Sequence, residues 1–122
     1  GKEVESAMEQ VCKDTEVHVK EFTVAPQIYP KKGLPYHEWF VEFENPPQKV
    51  AEFAQRLDQI MQQQNVYYED LLKGNVLETL VISQVATGGF QEYMKSIGKL
   101  GGQNKVPRLS NDRKIADNLS LK

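Results

Sequence analysis

The sequence predicts an α+β fold in which helices pack on a small mixed sheet of three or four strands, with ferredoxin-like wrapping. Two observations lead to this prediction. The first is that stretches with apolar residues at helical spacing alternate along the chain with stretches of strand-like, period-two pattern. The second is the resulting order of elements, which is helix, strand, strand, helix, strand, helix and short helix. A helix that crosses back between the second and third strands makes the sheet mixed.

The first two elements are an amphipathic helix and a strand. Four apolar residues lie at helical spacing over residues 3–13, namely Val4, Ala7, Met8 and Val11. A valine-rich strand over residues 17–24 follows. The apolar side chains of this strand change parity between Val19 and Phe22, so we expect a bulge or an interruption there.

The clearest strand is YHEWFVEFE, residues 36–44, because mainly apolar side chains alternate along it with mainly acidic ones. Trp39 lies on the apolar face, and we expect it in the core rather than stacked on a ligand. Glu38, Glu42 and Glu44 share the other face. Such a row resembles paired catalytic carboxylates, but strand spacing favours a solvated face.

After the second strand, the chain is predicted to form a helix, a strand, a second helix and a last short helix. After Pro46 and Pro47, the apolar stripe over residues 50–61 predicts a helix of about four to five turns. Residues 67–73 add a turn that ends at Gly74. Residues 77–86 are rich in β-branched side chains and predict a central, largely buried strand. A helix over residues 90–97 follows, and Ser110 is expected to cap a last short helix.

Length and composition limit the functional classes. The chain has 122 residues, which fits one domain, and 15 basic against 17 acidic residues give a net charge of −2. Neither nucleic acid nor an anionic membrane is an expected partner of such a chain. Cys12 is the only cysteine, which excludes a disulfide framework and fits a cytoplasmic location. Gly1 in place of an initiator Met suggests a piece cut from a longer protein.

Most catalytic motifs are missing from the sequence. His18 and His37 are the only histidines, and neither has the spacing of a zinc site, so no metal site is predicted. The connector GGQNKVPRLSND, residues 101–112, is the exception. There Lys105 and Arg108 flank Val106 and Pro107. Two cations on a segment stiffened by proline suit an anionic ligand such as a phosphate, and an ordinary surface loop is the alternative.

Four segments of the chain, in order, resemble the C-terminal domain of the auxin-responsive promoter family of acyl acid amido synthetases. The segments are PYHEWFVEFENPP, VAEFAQRLDQIMQQQNVYYEDLL, LETLVISQVATGGFQEYM and GGQNKVPRLSNDRKIADNL. The resemblance extends from about residue 17 to about residue 119. Its most specific parts are the acidic strand, the Asn65-x-x-Tyr68 step, the step from Gly88 to Phe90, and Lys105-Val106-Pro107-Arg108.

This resemblance implies the mobile C-terminal domain of an enzyme that uses ATP and Mg²⁺. Such enzymes activate a carboxylic acid as an acyl-adenylate and then pass the acyl group to an amino acid. The N-terminal adenylation domain of the same chain is the implied partner, so the C-terminal domain alone is expected to be inactive and to hold no cofactor. By the same resemblance, Lys105 is the catalytic cation, Gln103 and Arg108 contact the nucleotide, and Gly101 and Gly102 give the loop mobility.

Two alternatives come from other classes of protein. The first is a freestanding ferredoxin-like module that binds a small ligand or regulates another protein. The second is an RNA-binding sheet module, which the acidic balance and the missing aromatic-basic strand motif disfavour.

Overall fold

A computed structural model of the chain describes residues 1–102 and 104–122. The helices are α1 (Lys2–Thr15), α2 (Val50–Gln64), α3 (Val66–Lys73) and α4 (Gly89–Ser96), and the strands are β1 (Val19–Gln27), β2 (Tyr36–Phe43) and β3 (Val81–Gln84). A single turn of 3₁₀ helix covers Ala116–Asn118. None of the helices in this described part of the chain combines the length and apolar character needed to cross a membrane.

The strands form one mixed sheet in the order β1-β2-β3. β1 pairs antiparallel with β2, and β3 pairs parallel with β2 after the chain has crossed back through α2 and α3. The predicted α+β fold with a mixed sheet is therefore confirmed. The register of β1 shifts between Val19 and Glu21, where two residues of β1 advance against one of β2, so the predicted bulge is also present.

β3 is shorter and more exposed than predicted. It covers four residues, lies at the edge of the sheet, and leaves Val81 40% exposed. The prediction of a central, largely buried strand over residues 77–86 is wrong. The backbone N–H groups before β3 form hydrogen bonds with groups outside the sheet. The N–H of Glu78 donates to the carbonyl of Pro35, and the N–H of Leu80 donates to the carboxylate of Asp58.

Two hydrophobic clusters cover the two faces of the sheet. The larger one includes Trp39 and joins β1 and β2 to α1 and α2, which confirms the expected core position of the tryptophan. The smaller one joins Phe40 to α4, Val106 and the last residues of the chain. Because this second layer covers β2, both of its faces are buried.

The acidic face of β2 is consequently not a solvated row. Glu42 is only 2% exposed, and its carboxylate accepts hydrogen bonds from the N–H groups of Gly88 (3.0 Å) and Phe90 (3.4 Å) at the start of α4. Glu38 pairs with Arg113 at 2.9 Å. The prediction holds only for Glu44, which is exposed.

A second buried carboxylate, that of Asp58, ties α2 to α3 and to the residues before β3. Asn65 caps α3 by accepting from the N–H of Tyr68 (3.0 Å), and the Tyr68 hydroxyl donates to Asp58. Asp58 also accepts from the side chain of Gln62 (2.7 Å) and the N–H of Leu80 (3.1 Å). Burial, reinforced by the bond to Asp58, strongly raises the pKa of Tyr68, so its hydroxyl stays protonated.

The predicted last short helix is present as the 3₁₀ turn Ala116–Asn118, with Ala116 and Leu119 buried, but its predicted cap is wrong. Ser110 does not cap a helix; its N–H donates to the carbonyl of Val24 at 2.9 Å, so it belongs to the segment that runs beside β1. The only regular helix beyond it among the described residues is the 3₁₀ turn, which has no side-chain cap.

Candidate functional site

The connector of residues 101–112 begins with a sharp change of direction after α4. The backbone of Gly101 has φ 86° and that of Gly102 has φ 64°, and residues with a Cβ rarely adopt such positive φ angles. The Asn104 side chain donates to the carbonyl of Gly101 at 3.3 Å. Gln103, predicted to contact the nucleotide, lies outside the described residues.

The second part of the connector is attached to the free edge of β1. The N–H of Val24 donates to the carbonyl of Arg108, and the N–H of Ser110 donates back to the carbonyl of Val24, both at 2.9 Å. The Thr23 hydroxyl donates to the carbonyl of Pro107 at 2.6 Å. Val106 is buried in the second cluster, so residues 106–110 have a fixed path along the sheet.

The Arg108 side chain is engaged within the domain. Its guanidinium forms an ion pair with Glu21, donates to the carbonyl of Phe22 at 2.9 Å, and lies 4.5 Å from the centroid of the Phe22 ring. The Phe22 ring in turn stacks on buried Trp39 at 5.7 Å. The side chains of Glu21 and Arg108 are 22% and 25% exposed, so the pair is largely shielded from water.

Lys105 is exposed at the start of this attached segment. Within residues 1–102 and 104–122, Lys105 takes part in no ion pair. A small cavity of about 180 Å³ lies beside the connector, and its lining includes Gly101, Asn104, Lys20 and Glu42. The structure therefore places a second cation, Lys20, near the same loop.

Sequence reasoning missed Glu21, Lys20 and Glu42 as neighbours of the connector. Glu21 and Arg108 are 87 positions apart, so no local pattern links them. One signal was present, because charged Lys20 and Glu21 interrupt the apolar pattern of β1 where the bulge occurs. A bulge re-aims side chains at a sheet edge and is frequent beside functional sites.

A larger cleft of about 600 Å³ lies between the start of α1, α3 and the sheet. It is mainly apolar, and Leu109 is the connector residue in its lining. His37 lines it too, packed against the Tyr68 ring at 5.9 Å. Burial lowers the pKa of His37 despite the opposing charge of Asp58, so the imidazole is neutral near pH 7 and adds no positive charge to this cleft.

The fold is similar to part of acyl acid amido synthetase structures. One structure of this kind, "GH3.15 acyl acid amido synthetase", matches 99% of the chain with a TM-score of 0.72 and 16% identity. Another, "AtGH3.15 acyl acid amido synthetase in complex with 2,4-DB", matches 98% of it with a TM-score of 0.68 and 16% identity. The chain covers only 22% and 24% of those two proteins.

The chain belongs to the GH3 family: the family model described as "GH3 family C-terminal domain" matches residues 2–114. The predicted resemblance is thereby confirmed over nearly the whole chain. No curated protein matches the chain in sequence.

Proposed function

We propose that the chain is the C-terminal lid of an ATP-dependent acyl acid amido synthetase that conjugates a carboxylic acid to an amino acid in the cytoplasm. The family match over residues 2–114 is the observation that carries this proposal. The names of the two similar structures describe the same class of enzyme. In this proposal an N-terminal adenylation domain of the same protein is the partner, and the chain is inactive by itself.

The proposed reaction has two steps. In the first, a carboxylate oxygen of the acyl acid attacks the α-phosphorus of ATP, and pyrophosphate leaves as the acyl-adenylate forms. In the second, the amine of the amino acid attacks the acyl carbon, loses a proton, and AMP leaves. Negative charge moves onto pyrophosphate only in the first step, so a cation supplied by a movable domain serves that step best.

Lys105 is the residue proposed to supply this cation. Its exposed ammonium precedes the anchored segment 106–110, so the sheet sets where it is presented while its long side chain can still reach a phosphate oxygen. Gln103 and Arg108 remain predictions as nucleotide contacts, and Gly101 and Gly102 as the points of loop mobility.

Mg²⁺ is expected to accompany ATP, but we assign it no ligand in this chain. Across the residues that the structure describes, no group of three His, Cys, Asp or Glu side chains is placed to hold a metal ion.

ATP–pyrophosphate exchange tests the proposed function. The full-length protein, which includes the proposed adenylation domain, is incubated with labelled pyrophosphate, ATP and a panel of carboxylic acids, and this chain alone is the control. We expect exchange by the full-length protein with at least one acid and none by the chain alone. Silence of the full-length protein across a broad panel would contradict the proposal.

The cleft beside His37 favours a second candidate, a freestanding small-ligand or regulatory module. Its volume and apolar lining fit a small apolar ligand. Binding of such a ligand by the isolated chain, together with silence in the exchange assay, would favour this candidate over the synthetase.

A further inference from the structure

We propose that Glu21 and Arg108 are positioning residues: their pairing fixes the place from which Lys105 acts. This inference rests on the proposed function, since it assigns a task to the segment that carries the catalytic lysine. We call the contacts of Arg108 with Glu21 and Phe22 the clasp. In this inference Arg108 acts through its contacts within the domain, in place of the nucleotide contact predicted for it from the sequence.

The clasp engages the guanidinium on several sides at once. Glu21 and Phe22 are consecutive residues of β1, and between them they provide a carboxylate, a carbonyl and an aromatic face. The planar guanidinium of arginine fits such a combination, whereas the ammonium of lysine does not. Because Phe22 stacks on buried Trp39, Arg108 is held against the core of the domain.

Lys105 lies only three residues before Arg108, within about 10 Å along an extended chain. The intervening residues transmit the position of the clasp, because Val106 is buried and the carbonyl of Pro107 accepts from Thr23. On the other side of Lys105, the only described side-chain hydrogen bond of the connector is that of Asn104 to Gly101. The residues that follow Lys105 therefore limit where it can lie.

The clasp also controls the charge near the lysine. Arg108 neutralises Glu21, whose carboxylate would otherwise repel phosphate groups brought to Lys105. Two roles are possible for Arg108, contact with the nucleotide or positioning of Lys105, and they predict different rates of the first step when Glu21 is removed. If Arg108 contacted the nucleotide itself, loss of Glu21 would free Arg108 and keep or raise the rate. If Arg108 acts by positioning Lys105, loss of either partner slows the first step.

The experiment compares Glu21→Gln, Arg108→Gln and the double variant in the full-length protein. We expect each single variant to lower pyrophosphate exchange by about tenfold, since small displacements of a catalytic group have effects of that order. The double variant is expected to be no slower than the slower single variant, because both changes break the same contact. Transfer of the acyl group from preformed acyl-adenylate to the amino acid should stay within about twofold.

Arg56→Gln is the matched control, because it removes another arginine ion pair, with Asp14 at 2.8 Å, between α1 and α2. It is expected to leave both half-reactions unchanged. A Lys-specific protease gives a readout that is independent of catalysis. We expect the bond between Lys105 and Val106 to be cleaved severalfold faster in the two clasp variants than in the wild type or in Arg56→Gln.

Four results would overturn the inference. Unchanged exchange in Glu21→Gln beside a loss in Arg108→Gln would assign Arg108 to the nucleotide. Equal loss of both half-reactions would show a general structural defect. If the full-length protein shows no exchange at all, the proposed function fails with the inference, and faster cleavage after Lys105 would then identify the clasp as a structural contact only. Exchange that falls in Lys105→Ala but in neither clasp variant would leave the proposed function intact and reject the clasp.

Discussion

The buried carboxylate of Glu42 should be a major determinant of the stability of the domain. In the variant Glu42→Ala, the N–H groups of Gly88 and Phe90 lose their acceptor at the start of α4. A hydrogen bond to a charged group contributes about 1.5–3 kcal/mol, and the bond to Phe90 is long at 3.4 Å. The ion pair with Lys20, at 3.7 Å, adds little because Lys20 is half exposed.

We therefore expect Glu42→Ala to lower the free energy of unfolding by about 2–4 kcal/mol. Glu42→Gln keeps one acceptor oxygen and should cost about half as much. Glu44→Ala is the matched control, since Glu44 is exposed two residues further on, and should change stability by less than about 0.5 kcal/mol. If Glu42→Ala were as stable as this control, the stabilising role of Glu42 as hydrogen-bond acceptor at the start of α4 would be refuted.

Urea unfolding of the chain measures these differences. Trp39 is the only tryptophan and is buried, so its fluorescence reports on the larger cluster, while circular dichroism reports on the helices. Coincident transitions by the two probes would justify a two-state analysis. Equal slopes against urea in all variants would show that the midpoint shifts reflect stability alone.

Two further predictions concern the network around Asp58. Tyr68→Phe removes one hydrogen bond to this buried carboxylate and should cost about 1.5–3 kcal/mol in urea unfolding, whereas exposed Tyr67→Phe should cost almost nothing. His37 has a lowered pKa in the folded state, so the unfolded chain binds more protons at mildly acidic pH. Stability should therefore be full above pH 6.5 and fall as the pH drops below it. His37→Gln should reduce this loss, and His18→Gln, at an exposed position, should not; equal curves for wild type and His37→Gln would contradict the assignment.

Local sequence patterns were sufficient to predict β2 and the bulge in β1. The alternation of residues 36–44 located β2, and the parity change near Lys20 located the bulge in β1. The same alternation gave the wrong environment for Glu38 and Glu42. A strand pattern shows which side chains share a face, but α4 and the C-terminal residues that cover that face come from distant parts of the chain.

The candidate site shows the same division. The resemblance predicts the role of Lys105, and the structure places this residue in an exposed position beside an anchored segment. The partner of Arg108 could not be predicted, because Glu21 meets it through the tertiary packing of residues 106–110 along β1. The prediction for Ser110 was wrong for a related reason. Its N–H donates a hydrogen bond to the carbonyl of Val24 at the edge of β1, before any helix begins.

The central claim, that this domain supplies a cation to the adenylation step, is tested most directly by Lys105→Ala in the full-length protein. The rate of acyl-adenylate formation is measured in a single turnover, and Lys114→Ala, which changes another exposed lysine, is the control. We expect a loss of about tenfold to a thousandfold in Lys105→Ala and none in Lys114→Ala, with unchanged transfer from preformed adenylate. An adenylation rate equal to that of the wild type in Lys105→Ala would contradict it.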